Sequence, residues 1–242
     1  MINEQAAAIN EQAAANLQER IKENAYPGRG IVIGRDLKGD WIQVYWIMGR
    51  SSNSRNRIFV GEGDLLRTEA ADPAKVDDPS LIIYNAMRVC GRHYIVTNGA
   101  HTDDVYEGFV AGRGFAESLA GWLHEPDAPN FTPRISGCVD LDNDEAQLSI
   151  LKVNPFNSAR SERHFFRFDC IGPGYGYAIT TYASDGDPLP SFSGTPYLLP
   201  LAADPGDLWN ALNEDNRIAL AMRRIAADGT AETQIINRYE AV

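Results

Sequence analysis

The feature that most constrains the fold is a succession of short apolar segments that begins at residue 28, each closed by a glycine-containing turn. The first three are GRGIVIG (28–34), DWIQVYWIMG (40–49) and RIFVGEG (57–63). Branched and aromatic residues favour strands, so each segment predicts one. The connection DLKGD (36–40) has the length of a hairpin turn, and it predicts that the first two strands are antiparallel neighbours.

The same pattern continues along the chain. We expect a strand pair at 81–91 and 93–100, the first of which fits a helix as well, a hairpin around Asp142-Asn143 within 134–154, strands within 165–184 and a last strand at 230–241. Apolar spacing predicts helices at 103–123, broken near Gly112 and Gly114, and an amphipathic helix at 207–226. Two sheets with helices outside them are the simplest packing for this order, so we predict an α+β fold.

Residues 1–25 differ from the rest of the chain in composition, because they repeat a helix-forming segment. INEQAAA occurs at 2–8 and again at 9–15, and strong helix formers follow it up to Pro27-Gly28. Ile2 and Ile9 alone make a poor coiled-coil seam. We therefore predict a solvent-exposed N-terminal helical extension, docked on the body or on a neighbour, followed by one compact domain at 26–242 without a Gly/Ser linker.

Charge and composition exclude several classes of partner. A net charge of −11 argues against broad binding to nucleic acid or an anionic membrane, although a local anion pocket stays compatible with it. The chain shows neither an apolar run of transmembrane length nor the start of a signal peptide, so we expect a cytoplasmic protein. Cys90, Cys138 and Cys170 are too far apart for a metal site, and we expect three buried thiols.

Common cofactor and catalytic motifs are missing from the sequence. GRGIVIG lacks the Rossmann spacing, and the sequence holds no Walker phosphate loop and no GxSxG elbow. The four histidines have no metal-binding spacing. We therefore predict neither a metal nor a cofactor.

A cluster of arginines follows the second apolar segment. RSSNSRNR (50–57) holds Arg50, Arg55 and Arg57 among small hydrogen-bonding residues. Guanidinium groups match phosphate oxygens, and short hydroxyls and amides complete such sites, so the run indicates a nucleotide or phosphate pocket. The alternative is a polar loop with solvated arginines.

Two further clusters carry candidate ligands. VTNGAHTDD (96–104) follows a strand directly, and there Asn98 and His101 are candidate ligand contacts while Asp103 is expected to cap the next helix. HEPDAPNFTPRI (124–135) places Glu125, Asp127 and Arg134 in a loop punctuated by prolines. The long Gly/Pro/Asp loop at 180–194 is too aromatic for a simple turn.

Taken in order, several short segments resemble the archaeal-type IMP cyclohydrolase family and its longer bacterial members. They are YPGRG (26–30), GR (34–35), RSSNSRNR (50–57), IYNAMRV (83–89), VTNGAHTD (96–103), TPRI (132–135), ITTY (179–182) and GDPLPSF (186–192). The resemblance implies a four-layer αββα sandwich like that of the N-terminal-nucleophile hydrolases. The activity it implies, in de novo purine biosynthesis, closes the ring of 5-formamidoimidazole-4-carboxamide ribotide to give IMP and water.

The resemblance also implies the site. Arg57, Tyr84 and Glu125 are carried over as catalytic residues, with Asp127 as the rival of Glu125 for the proton acceptor. Arg57 and Tyr84 would polarise the formyl oxygen or hold the base. Carried over as substrate-binding residues are Arg29, Arg50, Asn56, Asn85, Asn98, Gly99, His101 and Thr102.

Arg88 and Arg134 fit a ligand role or a structural pairing with carboxylates equally well. The expected partner is a small nucleotide, with neither nucleic acid nor membrane, and a homo-oligomer stays open.

Two other functions fit the same residues. The first is a purine-nucleotide-binding protein without catalysis on the same fold. The second is an amidohydrolase that uses a new N-terminal Ser, Thr or Cys; the segment near Tyr26 offers none, so this reading requires processing of the chain.

Overall fold

The computed structural model describes residues 2–76, 79, 82–201 and 203–240. Its helices are α1 (Ile2–Leu17), α2 (Ser52–Arg55), α3 (His101–Val110), α4 (Phe115–Ser118) and α5 (Pro205–Ala211), with a π-helical turn at Gln18–Lys22 and a 3₁₀ turn at Pro73–Lys75. Its strands are β1 (Gly30–Arg35), β2 (Trp41–Met48), β3 (Ile58–Glu62), β4 (Leu65–Glu69), β5 (Asn85–Cys90), β6 (His93–Thr97), β7 (Arg134–Asp140), β8 (Glu145–Asn154), β9 (Asn157–Phe168), β10 (Tyr175–Thr180), β11 (Tyr197–Pro200), β12 (Arg217–Ile225) and β13 (Ala231–Asn237).

The strands form two antiparallel sheets. The first has the order β11-β10-β1-β2-β12-β13, and the second runs β3-β4-β5-β6-β7-β8-β9. Consecutive strands are neighbours throughout the second sheet, although the connection between β6 and β7 is long and carries α3 and α4. The predicted α+β class and the hairpins at DLKGD and around Asp142-Asn143 are confirmed.

The two sheets pack face to face around a shared core. All eight residues of β2 are buried, because this strand lies in the middle of its sheet and is covered on both faces. A continuous apolar strand of this kind is typical of the interior of a layered fold. Polar contacts also link the sheets inside the core, and among them the Gln43 amide donates to the Tyr94 carbonyl at 2.7 Å.

Helices cover the outer faces of the sheets. Helices α3 and α4 close a second apolar cluster over β6 and β7. Helix α1 packs against β11, and the Asn16 amide donates to the Leu198 carbonyl at 2.8 Å. Ala13 and Ile21 are buried while most of α1 is exposed, so the N-terminal helix is docked on the body.

The prediction of a long amphipathic helix at 207–226 is wrong. Helix α5 ends at Ala211, and β12 follows it between β2 and β13. Residues 218–223 of β12 are buried without interruption. An inner strand covered on both faces shows no alternation, so its apolar run resembles that of a buried helix in the sequence.

The cysteines and the membrane expectation can be compared with the structure. The expectation of three buried thiols is wrong, since Cys138 is buried while Cys90 is half-buried and Cys170 is exposed. No helix within the described ranges is both long and apolar enough to cross a membrane.

Gly34 is required by close backbone packing between β1 and β10. A Cβ at this position would lie 2.1 Å from the Tyr175 carbonyl oxygen and 2.4 Å from the Cα of Gly176. Because backbone atoms cannot rotate away, we expect Gly34→Ala to lower the free energy of unfolding by about 1–3 kcal/mol. Gly121→Ala is the control, since a Cβ there meets nothing within 4 Å. Urea unfolding measures both variants, and equal stability would contradict the close approach.

Candidate functional site

A cavity of about 390 Å³ opens at one end of the first sheet. Strand β1 begins where β2 and β10 end, because Gly30 pairs with both Trp46 and Thr180. The antiparallel order therefore brings the segments before β1, after β2 and after β10 to the same end, and the loop before β7 joins them from the second sheet. The cavity is lined by Tyr26, Gly28, Arg29, Met48, Arg50, Ser51, Asn53, Ser54, Arg57, Ile82, Glu125, Asp127, Asn130, Thr132, Tyr182 and Leu189.

A buried ion pair joins the two sheets in the cavity wall. The two terminal nitrogens of Arg29 lie 3.0 Å from the two carboxylate oxygens of Glu125, and both residues are under 10% exposed. The same guanidinium donates to the Asn98 carbonyl at 3.2 Å. Burial lowers the pKa of Arg29 and Glu125 raises it, and the balance lies well above the ordinary value. Arg29 therefore keeps its charge.

Arg134 stands behind this pair. Its guanidinium lies 3.9 Å from Glu125 and 4.7 Å from the centre of the Trp122 ring. Burial lowers the pKa of Arg134, although Glu125 opposes that change. Of the two readings left open for Arg134 and Arg88, both residues show the structural pairing: Arg134 contacts Glu125, and Arg88 contacts Asp103 at 2.8 Å.

The segment after β2 forms a cationic end of the cavity. Ser51 caps α2, and its hydroxyl accepts from the Ser54 amide at 3.1 Å. Arg57 is buried and donates to the Ser54 carbonyl at 2.9 Å, and it forms no ion pair with any carboxylate in the described part of the chain. Arg50 reaches the rim, where it contacts Asp185 and lies 4.9 Å from the Tyr26 ring centre. This end can bind an anion.

Another part of the lining carries a chain of three hydrogen-bonded side chains. Asp127 accepts from the Thr132 backbone N–H at 2.7 Å and contacts the Thr132 hydroxyl, which contacts the Tyr182 hydroxyl in turn. The Tyr182 ring stacks on Tyr26 with centroids 6.0 Å apart. Burial raises the pKa of Tyr182 to about 12, so its hydroxyl keeps its proton at neutral pH.

Tyr84 lies beneath the cavity and is not among the residues that line it. Its hydroxyl is 2.6 Å from the Tyr45 hydroxyl, and both side chains are buried. Burial raises the pKa of Tyr45 well above its ordinary value, and the interaction with Tyr84 adds to the rise. A catalytic role for Tyr84 stays a prediction.

Asn56 and Asn85 are placed away from the cavity lining. The side chain of Asn56 bonds the backbone of Asp72 in both directions, at 2.8 Å each. Asn85 donates to Asp103 at 2.9 Å. Asp103 does not cap α3 as expected, since the capping residue is Ala100 and the Asp103 carboxylate pairs with Asn85 and Arg88 instead.

The VTNGAHT segment forms a buried support behind the Arg29–Glu125 pair. Asn98 bonds the backbone of Pro133 and Ile135, and the Thr102 hydroxyl contacts that of Thr97 at 2.6 Å. His101 lies 3.1 Å from the Ser136 hydroxyl. A Cβ at Gly99 would meet the Arg134 guanidinium at 2.6 Å, so glycine leaves room for this arginine. None of these segment residues lines the cavity in the described structure.

The structure adds lining residues that were not proposed from the sequence. Tyr26, Thr132 and Tyr182 carry hydroxyl groups, and Asn53 and Asn130 carry amides. The signal was available, because Tyr26, Thr132 and Tyr182 lie in YPGRG, TPRI and ITTY, which were used only as landmarks of the resemblance. Within the described residues, no group of three His, Cys, Asp or Glu side chains is placed to hold a metal ion.

We expect the Arg29–Glu125 pair to be sensitive to loss of one partner. Glu125→Leu leaves a buried guanidinium without its carboxylate, which typically costs about 3–5 kcal/mol of folding free energy. The double variant Arg29→Met/Glu125→Leu removes both charges and should be more stable than Glu125→Leu alone. Urea unfolding measures this order. The exposed Glu62→Leu is the control, and a double variant less stable than the single one would contradict the pairing.

His101 should make stability depend on pH. Burial, with the charge of Arg134, holds the pKa of His101 well below its ordinary value. Below about pH 6.5 the unfolded chain binds a proton that the folded chain rejects, so stability falls as pH falls, by up to about 1.4 kcal/mol per pH unit. Unfolding free energies between pH 5 and 7 should show a shallower slope for His101→Asn. Identical slopes would contradict a neutral buried His101.

Comparison with known proteins agrees with this organisation. A family model described as IMP cyclohydrolase-like protein matches residues 26–229. A protein named IMP cyclohydrolase from Haloquadratum walsbyi is 33% identical over 118 residues, which covers 47% of this chain and 56% of that protein. One of the same name from Methanopyrus kandleri is 30% identical over 161 residues, or 65% and 75% of the two chains. The match thus spans little more than half of the first relative's length. The chain belongs to the IMP cyclohydrolase-like family.

Proposed function

We propose that the protein is an IMP cyclohydrolase, which converts 5-formamidoimidazole-4-carboxamide ribotide into IMP and water. The observation that carries the proposal is a single cavity, in a chain of this family, lined by arginines that follow β2 and by carboxylates that precede β7, which we call its arginine end and its carboxylate end. The named relatives from Haloquadratum walsbyi and Methanopyrus kandleri support it, since both are called IMP cyclohydrolase.

The arginine end suits the phosphate of the ribotide. Arg57 was expected from the resemblance to polarise the formyl oxygen or hold the base. It donates instead to the backbone carbonyls of Ser54 and Met48, at 2.9 and 3.4 Å, and it lacks a carboxylate partner among the described residues. A buried guanidinium of this kind needs an anion, and phosphate oxygens accept its forked donors. We therefore assign Arg57 to the phosphate, with Arg50 at the rim.

The carboxylate end then receives the imidazole with its two reacting substituents. The carboxamide nitrogen attacks the formyl carbon of the same molecule, so holding both groups face to face supplies much of the acceleration. The formyl oxygen gains negative charge during the attack and needs a donor. Arg29 lines this end and retains N–H groups beyond those bonded to Glu125.

Two carboxylates remain candidates for the proton acceptor at this end. Both oxygens of Glu125 are engaged by Arg29, while Asp127 faces the Thr132–Tyr182 pair. Tyr84 is buried close enough to Arg29 to raise the pKa of Arg29, and it would help to orient that guanidinium.

The finer description of the fold is also a proposal. We propose a four-layer αββα sandwich like that of the N-terminal-nucleophile hydrolases, formed by residues 26–242 with the helix of residues 1–25 as an extension. The helices on the outer faces of both sheets support the layering. A cytoplasmic location and a homo-oligomer stay predictions.

Ring closure is tested by the absorbance of the new purine when the purified protein meets the formylated ribotide. Loss of a charged contact to phosphate should raise KM about ten- to a hundredfold in Arg57→Ala, with a smaller effect on kcat. The exposed Arg113→Ala is the matched control and should behave as the wild type. A folded wild-type protein without turnover would refute the activity, and an Arg57→Ala variant with unchanged KM would refute the phosphate assignment.

A further inference from the structure

The chain Asp127–Thr132–Tyr182 has a direction that the structure fixes. At neutral pH an aspartate is ionised, and an ionised carboxylate only accepts hydrogen bonds. Its two oxygens contact the backbone N–H and the hydroxyl of Thr132. The single hydroxyl proton of Thr132 is therefore donated to Asp127.

The direction continues to the next member. Because Thr132 donates its only hydroxyl proton to Asp127, the Thr132 oxygen can only accept a hydrogen bond from Tyr182. Tyr182 therefore donates its own hydroxyl proton to Thr132. Burial is the first cause of the raised pKa of Tyr182, which keeps the hydroxyl protonated. The Tyr182 oxygen thus presents lone pairs alone to the cavity that it lines.

We propose that Tyr182 is an acceptor-only contact for the carboxamide N–H₂ of the ribotide, and that Asp127 sets this polarity through Thr132. The inference rests on the proposed function, whose site it deepens. A carboxamide can turn by half a rotation and exchange its nitrogen for its oxygen. An acceptor on the wall selects the orientation that points a donor at it, and so fixes which atom faces the formyl group.

The surroundings favour a donor of this kind at Tyr182. The arginines in the lining only donate, and both oxygens of Glu125 already accept from Arg29. The Oδ1 atom of Asn53, a buried acceptor without a partner among the described residues, belongs to the arginine segment after β2. Asp127 is likewise occupied by Thr132. Tyr182 is therefore an acceptor with a free lone pair near the Arg29–Glu125 pair, where the imidazole is placed.

The contact also has a place in the reaction. When the carboxamide nitrogen bonds to the formyl carbon, the C=O π pair moves to oxygen and the nitrogen loses one proton. That proton passes to Tyr182 as Tyr182 gives its own to Thr132 and Thr132 gives its own to Asp127. The former formyl oxygen takes up two protons and leaves as water: Asp127 returns the proton that it received from the carboxamide, and the formamido nitrogen gives up the second as the C=N bond forms. The protons balance, and no oxidant or reductant is needed.

Four variants test the polarity. Tyr182→Phe removes the acceptor, and Thr132→Val breaks the chain. Asp127→Asn is nearly isosteric but reverses the direction of the hydrogen bonds. The asparagine amide donates to the Thr132 hydroxyl, and Thr132 then donates to Tyr182. The Tyr182 hydroxyl proton therefore points into the cavity. We expect each to lower kcat/KM about ten- to a hundredfold. Thr132→Ser keeps the hydroxyl and should recover most of the activity that Thr132→Val loses. The exposed Asp169→Asn controls for the loss of a carboxylate.

A double-variant cycle separates polarity from direct action. If Asp127 acts through Tyr182, Asp127→Asn should have little further effect in the Tyr182→Phe background. If Asp127→Asn costs the same in both backgrounds, Asp127 contacts the substrate directly and the proposal is wrong. Unchanged kcat/KM in Tyr182→Phe would also overturn it.

Binding distinguishes this inference from the activity. Calorimetry with the unformylated carboxamide ribotide should show about tenfold weaker binding for Tyr182→Phe and Asp127→Asn, again without additivity. Aminoimidazole ribotide, which lacks the carboxamide, should bind the wild type and Tyr182→Phe equally. Failure of turnover with this binding pattern intact would refute the cyclohydrolase activity alone. Equal loss for both ribotides would place the Tyr182 contact elsewhere on the nucleotide and overturn the inference.

Discussion

The buried pair of Arg29 and Glu125 is the interaction on which the site depends. Arg29 precedes the first strand of one sheet, while Glu125 and the Asn98 carbonyl belong to connections of the other. A guanidinium has five donors in a planar fork, so one side chain can hold three acceptors from separate segments. The pair stabilises little by itself, because burying charge costs nearly what the attraction returns. Its effect is to fix the two sheets relative to each other where the cavity opens.

Much of the fold could be predicted from the sequence. The antiparallel hairpins were recognisable because their turns are short and their strands carry branched and aromatic residues. The region 207–226 was not, since β12 is covered on both faces and lost the alternation that identifies a strand. The exposure of Cys170 could not be predicted either, since it depends on how the chain leaves β9.

The charged residues of the site were predicted from the sequence, but the hydrogen bonds that decide which polar side chains face the cavity were not. Arg29, Arg50, Arg57, Glu125 and Asp127 converge on one cavity from three segments of the chain. Asn98, His101 and Thr102 come from an equally suggestive segment, yet Asn98 and His101 bond residues of β7, and Thr102 bonds Thr97 of β6. Composition shows which residues can bind a ligand. Whether a polar side chain faces the cavity or supports it depends on tertiary hydrogen bonds, which a sequence does not reveal.

The hydrogen-bond directions explain how a cavity with several arginines can orient a substrate that carries both donors and acceptors. Arginines hold anions but cannot distinguish an amide nitrogen from an amide oxygen by accepting from it. Asp127 lines the cavity itself, and through Thr132 it also orients the neutral hydroxyl of Tyr182, whose oxygen is left to accept. The arginines and this accepting oxygen would then match the phosphate and the carboxamide of the proposed ribotide.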